Sequence, residues 1–368
     1  MNTALATLSA AGVSVWLDDL SRQRLNDGSL AQLIQDMSVV GVTTNPSIFH
    51  KAITSTAVDY AQQLSECVAG GLTSAQTVRA LTVTDVTAAC ELFMPIFKAT
   101  NGVDGRVSIE VDPRLAHDTV GTIAEARELH AAVNRPNVLI KIPATKAGLP
   151  AITEVIGCGI SVNVTLIFGV ERYIDVLQAF VDGLAIARDR GHDLSAIHSV
   201  ASFFVSRVDT SVDSALTTIG TAEAKELLGK AAIANAQLAW GAFLKFTQSD
   251  QWMPFAASAR PQRPLWASTG VKNPDYDQAM YVTSLIGHPC VNTMPEATLL
   301  AASAVAMPDV DTMTPHLTEA QEVWTRLESL GISHSRTVEA LEIAGVQQFI
   351  DAWVALLDAV EKEMASTA

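Results

Sequence analysis

The chain has 368 residues, of which 49% are hydrophobic, and it carries a formal net charge of −15. A chain of this length and apolar content can bury a large core, so extensive disorder is not expected. The negative charge argues against a general nucleic-acid or membrane surface, although a few local cations suffice for an anionic small substrate. The four cysteines are far apart and lack metal-binding spacing, which is typical of reduced thiols in a cytoplasmic protein.

The ends of the chain and its apolar segments bear on targeting. The N-terminus lacks a basic patch followed by an apolar run, so no signal peptide is predicted. No segment is expected to be apolar for long enough to span a bilayer. We therefore expect a cytoplasmic protein, a monomer or a homodimer, with small molecules rather than membranes or nucleic acids as its partners.

Short apolar strands alternate with helical segments along the chain. Strands are predicted at 12–19, 39–44, 107–113, 138–145, 159–166, 199–204, 264–269 and 290–295. Helices are predicted between them, including 30–36, 118–134 and 169–190. Because repeated βα units form parallel sheets, eight of them predict an α/β fold, the (β/α)₈ TIM barrel.

The predicted barrel is a single domain over residues 1–368. It has additional helices after strands 2 and 6, in insertions at about 47–100 and 208–260, and a C-terminal helix at about 338–364. A doubly wound open sheet is the alternative. The first strand is not followed by the G-x-G-x-x-G pattern that such nucleotide-binding sheets carry, which favours the barrel.

Lys141 lies inside the apolar fourth strand, between Asn137 and Pro143. A buried ammonium is costly unless it is paired or neutralised, and a neutral amine is a nucleophile toward carbonyls. The alternative is a strand-end lysine whose stem is buried while its charge reaches water. The fourth strand alone leaves both interpretations open.

Side chains alternate between two faces along a strand, which divides the strand residues into two sets. The small or polar set is predicted to face the barrel interior: Ser14, Trp16, Asp18, Gly41, Thr43, Asn45, Ser108, Glu110, Leu139, Lys141, Ser161, Asn163 and Thr165. The apolar set is predicted to face the helices: Val13, Val15, Leu17, Val40, Val42, Ile109, Val111, Ile140, Ile142, Val162 and Val164.

The polar inner residues lie at the carboxyl ends of their strands, where barrel enzymes carry their active sites. A helix N-cap role could explain single residues such as Asp19, Asp112 or Ser47, but not polar groups on one face of five strands. We therefore predict that Lys141 is surrounded by Asp18, Glu110, Asn163, Thr165 and Ser202. A lysine beside carboxylates fits Schiff-base chemistry, and the absence of metal-ligand spacing predicts no metal.

Four motifs in this order resemble the transaldolase family, from about residue 13 to about residue 302. They are TTNPS at 43–47, IKIPAT at 140–145, VNVTLIF at 162–168 and SFFVSR at 202–207. LWASTG at 265–270, followed by KNP at 272–274, resembles the longer bacterial branch. The resemblance implies transfer of a dihydroxyacetone unit between sugar phosphates in the non-oxidative pentose phosphate pathway, with no cofactor.

The resemblance also implies roles for individual residues. Lys141 corresponds to the Schiff-base lysine and Asp18 to the acid–base residue of carbon–carbon cleavage. Glu110 and Thr165 correspond to the residues that hold a catalytic water. The residues expected to bind or line the dihydroxyacetone portion are Asn45, Asn163, Thr43 and Ser202.

For the phosphate group, the resemblance implies Arg207 as the main cation. The family often has an arginine after the seventh strand; here Lys272 or Ser268 is the candidate in its place. Phe204 aligns with an aromatic position where Phe is associated with transfer and Tyr with simple aldol cleavage. Phe204 as plain core filling is the alternative.

Two other functions remain open. One is an aldolase that uses the same lysine and releases free dihydroxyacetone. The other is a catalytically inactive barrel that binds sugar phosphates, against which the joint presence of Lys141, Asp18 and Glu110 argues.

Overall fold

A computed structural model describes residues 2–367 and contains a closed barrel of eight strands in the order β1 to β8. Every neighbouring pair is parallel, and β1 pairs with β8 to close the barrel. The predicted (β/α)₈ fold is therefore confirmed. The strands are β1 (Val13–Leu17), β2 (Val39–Val42), β3 (Arg106–Glu110), β4 (Val138–Pro143), β5 (Val162–Ile167), β6 (Ser199–Phe204), β7 (Arg263–Ala267) and β8 (Cys290–Met294).

Helices surround the barrel, and the predicted extra helices follow β2 and β6. The first eight are α1 (Thr3–Ala10), α2 (Arg22–Asn26), α3 (Ser29–Asp36), α4 (Pro46–Ser55), α5 (Ala57–Ala69), α6 (Ser74–Ala99), α7 (Thr119–Val133) and α8 (Gly148–Gly157). The remaining ones are α9 (Val170–Asp189), α10 (Ser206–Ile219), α11 (Ala222–Glu226), α12 (Ala231–Thr247), α13 (Met280–Thr283), α14 (Glu296–Ser303), α15 (Leu317–Ser329) and α16 (His334–Thr367). The C-terminal helix α16 begins before the predicted position of about 338, and α15 was not predicted.

Polar side chains at the helix starts explain where several helices begin. Thr73 forms a capping box with Gln76 at the start of α6, in which each side chain satisfies a backbone N–H of the other. Asp118 accepts a hydrogen bond from the Gly121 N–H at the start of α7. Asn134 ends α7 in the left-handed conformation that asparagine tolerates.

The barrel interior is filled by an inner cluster of side chains from alternate strand positions, as predicted. Its strand residues include Trp16, Leu139, Val200, Phe204, Leu265, Ala267 and Val291. Val40 is an exception, since it was predicted to face the helices but packs against this inner cluster. The register explains the difference: Val15 pairs with Val39 but Trp16 pairs with Gly41, so a bulge in β2 shifts the faces.

A second irregularity lies at the end of β5. The register with β6 shifts between Val164 and Ile167, and Leu166 has a φ of 60°, which is unfavourable for a residue with a branched side chain. Leu166 is buried in the inner cluster, and its neighbour Thr165 also faces the barrel interior, where it lines a cavity. The bulge thus brings two consecutive side chains to the same face, and strained backbone of this kind is common near functional sites.

Helix α16 packs over the carboxyl ends of the strands. Its Val346 and Phe349 join the inner cluster together with Leu166 and Phe168. Gly345 allows the close approach, because a Cβ there would lie only 3.1 Å from the Phe168 ring. The C-terminal segment therefore forms part of the surroundings of the barrel mouth.

Two of the described helices, α6 and α16, are long and apolar enough to cross a membrane by length and composition alone. This differs from the expectation that no segment is apolar for long enough to span a bilayer. In α6, however, Asp85 is buried in an ion pair with Arg22 and accepts a hydrogen bond from Tyr60. Core helices of soluble proteins pass the same test, so the two helices are weak evidence for a membrane span.

Candidate active site

The side chain of Lys141 is buried at the carboxyl end of β4, with only 4% of the residue exposed. Its Nζ donates a hydrogen bond to the Thr44 carbonyl oxygen at 3.0 Å and lies 3.3 Å from Glu110 Oε2. The ring of Phe349 is 5.3 Å away on the α16 side. The interpretation of Lys141 as a lysine whose charge reaches bulk water is therefore wrong, because the amine itself is enclosed.

Two carboxylates lie near this amine. Asp18 directly follows β1 and accepts a 2.6 Å hydrogen bond from Thr43 Oγ1. Burial raises the pKa of Asp18, while Lys141 and the Thr43 hydrogen bond oppose that shift. Burial raises the pKa of Glu110 to about 7, again against the effect of Lys141. An acid with a pKa near neutrality can both donate and accept a proton at physiological pH.

A hydrogen-bonded chain of polar side chains crosses the interior beside the lysine. Ser202 Oγ donates to Asn163 Oδ1 at 2.7 Å, and Asn163 Nδ2 donates to Ser108 Oγ at 3.0 Å. Asn163 pairs with Lys141 in the β4–β5 register. Because its amide is held from both sides, Asn163 has a fixed orientation next to the amine.

Asn45 combines a structural contact with a place at the cavity wall. Its side-chain oxygen caps α4 by accepting a hydrogen bond from the Ile48 N–H at 3.0 Å. The amide nitrogen of Asn45 makes no hydrogen bond within the described part of the chain that would compete with a ligand. The N-cap explanation also holds for Asp112, which caps a short 3₁₀ helix at Pro113–Leu115, whereas Asp19 pairs with Arg24.

A cavity of about 120 Å³ opens at the carboxyl ends of the strands and brings most of the predicted site residues together. The predicted residues that line it are Asp18, Thr43, Asn45, Lys141, Thr165, Ser202, Phe204, Arg207, Ser268 and Lys272. Glu110 and Asn163 contact this group from behind: Glu110 lies against Lys141, and Asn163 is bonded to Ser202. A larger cavity between α9, α12 and α15 contains neither the lysine nor its carboxylates, so volume alone does not mark the site.

Cationic side chains lie at one end of the cavity. Arg207 follows β6, and its guanidinium carbon is 5.2 Å from the Phe204 ring centre. Burial lowers the pKa of Arg207, and its buried Nη1 has no hydrogen-bond partner among residues 2–367. Lys272 is exposed in the loop after β7. A desolvated guanidinium with a free donor is suited to bind an anion.

Ser268 is the other residue expected after β7. It has a φ of 55°, and its Oγ lies 2.9 Å from the Oγ of Ser206 at the start of α10. The Ser206 N–H donates to the Ser268 carbonyl oxygen. Ser268 is thus tied to the same helix start that carries Arg207, so both residues border the cationic end of the cavity.

Two further polar groups in the site lack partners. Thr165 Oγ1 and Glu110 Oε1 are shielded from solvent and have no hydrogen-bond partner among the described residues, and Glu110 Oε2 has only Lys141 Nζ beside it at 3.3 Å. Buried polar groups are usually satisfied, so such atoms mark a place where a small polar molecule fits.

The sequence interpretation missed several parts of the site. Phe349 and Thr293 also line the cavity, and the Thr43 and Thr293 hydroxyl oxygens are 2.6 Å apart. Alternation along β8 could have identified Thr293, since Val291 belongs to the inner cluster and Thr293 lies two residues later. The sequence pattern could not identify Phe349 as a cavity residue, because its position depends on how α16 packs against the barrel.

The described residues contain no group of three His, Cys, Asp or Glu side chains arranged to hold a metal ion. The polar groups at the mouth are instead an amine, two carboxylates, hydroxyls, amides and two cations. Such a set can form and hydrolyse a covalent bond between a lysine and a carbonyl compound.

Comparison with known proteins agrees with this arrangement. The model of the Transaldolase/Fructose-6-phosphate aldolase family matches residues 15–360. A transaldolase of Arthrobacter sp. (strain FB24) is 55% identical over 367 residues, covering 100% of this chain and 99% of that protein. Transaldolase 2 of Streptomyces coelicolor is 53% identical, covering 99% of this chain and 98% of that protein. A transaldolase of Mycolicibacterium smegmatis is 54% identical, with the same coverage. The chain therefore belongs to the transaldolase/fructose-6-phosphate aldolase family.

Proposed function

We propose that the transaldolase activity of this chain proceeds through a Schiff base on Lys141. The donor would be fructose 6-phosphate or sedoheptulose 7-phosphate, and the acceptor erythrose 4-phosphate or glyceraldehyde 3-phosphate. The observation that carries the proposal is the enclosed Lys141 amine, 3.3 Å from Glu110, in a cavity that Asp18 also lines. The reaction belongs to the non-oxidative pentose phosphate pathway.

In the first step Lys141 gives a proton to Glu110, and the resulting amine attacks the C2 carbonyl of the donor, which gives a carbinolamine. Loss of its hydroxyl as water then gives the iminium. Glu110 supplies and accepts the protons of these two steps, for which a pKa of about 7 is suited. Thr165 Oγ1 and Glu110 Oε1 have no hydrogen-bond partner among the described residues. This supports a role for Thr165 and Glu110 in holding the water that is released when the iminium forms and that adds again when it is hydrolysed.

Asp18 acts in the carbon–carbon cleavage. Its carboxylate takes the proton of the C4 hydroxyl, the C3–C4 bond breaks, and the electron pair moves into the iminium to give an enamine. The Thr43 hydrogen bond and Lys141 favour the carboxylate form that this step needs, against burial. The aldehyde product leaves, the enamine attacks the acceptor aldehyde, and the same steps in reverse release the new ketose.

The remaining residues bind and orient the sugar. The amide nitrogen of Asn45 would donate to a hydroxyl of the dihydroxyacetone unit, with Thr43 and Ser202 lining that portion. Asn163 would act from behind Ser202, whose hydroxyl it orients. Arg207 would bind the phosphate, with Lys272 or Ser268 as the second contact.

No cofactor enters this scheme, because the iminium formed on Lys141 accepts the electron pair of the C3–C4 bond. We also propose a cytoplasmic location, which the four free cysteines support. The working unit would be a monomer or a homodimer that acts on small sugar phosphates, with neither nucleic acid nor membrane as a partner.

Reduction with borohydride tests the proposal. Incubation with fructose 6-phosphate and borohydride should inactivate the enzyme permanently and add mass to the peptide that contains Lys141. A barrel that only binds sugars would give no adduct. Lys146, a few residues later in the chain, serves as an internal control, because modification there as well would indicate non-specific reaction.

An aldolase would form the same adduct on Lys141, so borohydride trapping does not distinguish it from a transferase and a separate assay is needed. Product from fructose 6-phosphate is measured with and without erythrose 4-phosphate. A transferase forms sedoheptulose 7-phosphate when the acceptor is present and releases little free dihydroxyacetone without it. Equal release of dihydroxyacetone in both conditions would favour the aldolase. Phe204 at the aromatic position supports transfer.

A further inference from the structure

Phe349 brings a residue of the C-terminal helix to the reacting nitrogen. It lines the cavity, its ring centre is 5.3 Å from Lys141 Nζ, and it packs edge-on against Phe204 at 6.4 Å. Only 6% of Phe349 is exposed. The ring therefore covers the amine on the side that faces α16.

The ring has two physical effects at this place. A cation near the face of an aromatic ring is attracted by the ring quadrupole, and a protonated imine carries its positive charge at the nitrogen. The ring is also apolar and occupies space next to the imine that water would otherwise enter. Both effects act on the intermediate that follows formation of the covalent bond.

Access of water decides the fate of this intermediate. In hydrolysis, the enamine takes at C3 the proton that Asp18 gained in the cleavage step, water adds to C2 of the resulting iminium, and the C2–N bond breaks. The Lys141 amine and free dihydroxyacetone are then released. In transfer, C3 of the enamine attacks the acceptor aldehyde before that water arrives. The two outcomes start from the same intermediate and differ in whether water or the acceptor aldehyde reacts with it.

We propose that Phe349 is a specificity-determining residue that favours transfer over hydrolysis by keeping water from C2 of the iminium, the carbon bonded to the Lys141 nitrogen. The inference rests on the proposed Schiff base at Lys141. It assigns to the C-terminal helix a direct part in the reaction, in addition to its packing on the barrel.

The competing explanation is that Phe349 only anchors α16. Val346 provides the matched control, because it lies on the same helix, belongs to the same inner cluster and is 5% exposed. Val346 is not among the residues that line the cavity. A variant at Val346 weakens the anchoring of α16 but leaves the ring beside the amine.

The experiment measures two rates for each variant. One is the release of dihydroxyacetone from fructose 6-phosphate without acceptor, and the other is the formation of sedoheptulose 7-phosphate with erythrose 4-phosphate. For Phe349→Leu we expect the ratio of hydrolysis to transfer to rise about tenfold, because the smaller side chain admits water beside the iminium. For Val346→Ala we expect the ratio to stay within about twofold of wild type.

Thermal unfolding confirms that each variant is folded at the assay temperature. If Phe349→Leu does not fold, Phe349→Ile carries the same test, because its side chain is also smaller than that of Phe and leaves room for water beside the imine. An unchanged ratio at position 349, or an equal rise in Val346→Ala, would overturn the proposal. Borohydride trapping of the wild type at Lys141 is scored separately, so failure of the Schiff-base mechanism is distinguishable from failure of this inference.

Discussion

The two ends of the barrel differ in how completely their buried polar groups are paired. At the amino end, Arg263 donates to Asp104 at 3.1 Å and to Ser14 at 2.7 Å, and Asp104 also accepts from Ser14 and Trp16. At the carboxyl end, Glu110 pairs with Lys141 at 3.3 Å, but Glu110 Oε1, Thr165 Oγ1 and Arg207 Nη1 have no hydrogen-bond partner among residues 2–367. A network in which each charge is paired stabilises the fold, whereas unpaired buried polar atoms are available to a ligand.

This difference separates stability from activity within one barrel. Substitutions at the carboxyl end should reduce activity while the fold persists, and substitutions at the amino end should do the reverse. The predictions below test that separation, beginning with the largest effect.

Lys141→Ala should reduce transfer at least about a thousandfold, because it removes the amine on which the covalent intermediate forms. The fold should persist, since Glu110 can take a proton when its cationic neighbour is removed. Initial rates and thermal unfolding measure the two properties. Loss of the folded state in this variant would mean that Lys141 has a structural role.

Asp104→Ala should lower the free energy of unfolding by about 3 to 5 kcal/mol, because it leaves the Arg263 guanidinium buried without its carboxylate. Denaturant unfolding measures the change. The catalytic rate of the folded variant, measured well below its unfolding midpoint, should match wild type. A large loss of rate in the folded variant would contradict the separation of the two ends.

Glu110→Gln should change how stability depends on pH. Burial raises the pKa of Glu110 from 4.5 to about 7, so between these values the folded state keeps a proton that the unfolded state releases. The free energy of unfolding of the wild type therefore loses a contribution as pH rises through this window. Gln cannot ionise, so the stability of the variant relative to wild type should increase by about 2 to 3 kcal/mol across the window. Denaturant unfolding at a series of pH values measures it, and a constant difference would contradict the raised pKa.

Arg207→Ala should raise KM for phosphorylated sugars about tenfold or more and change kcat little, because a phosphate contact far from the reacting carbons stabilises substrate and transition state alike. Steady-state kinetics with fructose 6-phosphate and with unphosphorylated fructose measure the effect. An equal loss for both sugars would show that Arg207 does not act on the phosphate.

Much of the site could be predicted because it depends on local rules. Alternation along strands placed Asp18, Lys141 and Thr165 on one face, and parallel strands bring their carboxyl ends together. The position of Val40 could not be predicted, because the bulge in β2 depends on pairing with β1 and on the close approach of Gly41 to the Trp16 ring. Strand bulges follow from tertiary packing rather than from residue pattern.

The contribution of α16 could be predicted only in part. Its apolar pattern identified a long helix near the C-terminus, but not which strands it would cover. Phe349 lies more than 200 residues from Lys141 in sequence, and their contact depends on the docking of Gly345 against Phe168. Helix α15 was missed because polar side chains dominate its exposed faces, with Ala320, Val323, Trp324 and Leu327 as its buried residues.

The division of work between Lys141 and Asp18 is tested most directly by the mass of the borohydride-reduced adduct, in wild type and in Asp18→Asn. Wild type incubated with fructose 6-phosphate should carry a three-carbon unit on Lys141, because Asp18 allows the C3–C4 bond to break before reduction. Asp18→Asn should carry the intact six-carbon sugar phosphate on the same residue. An adduct on another lysine, or a three-carbon unit of equal yield in Asp18→Asn, would contradict the account.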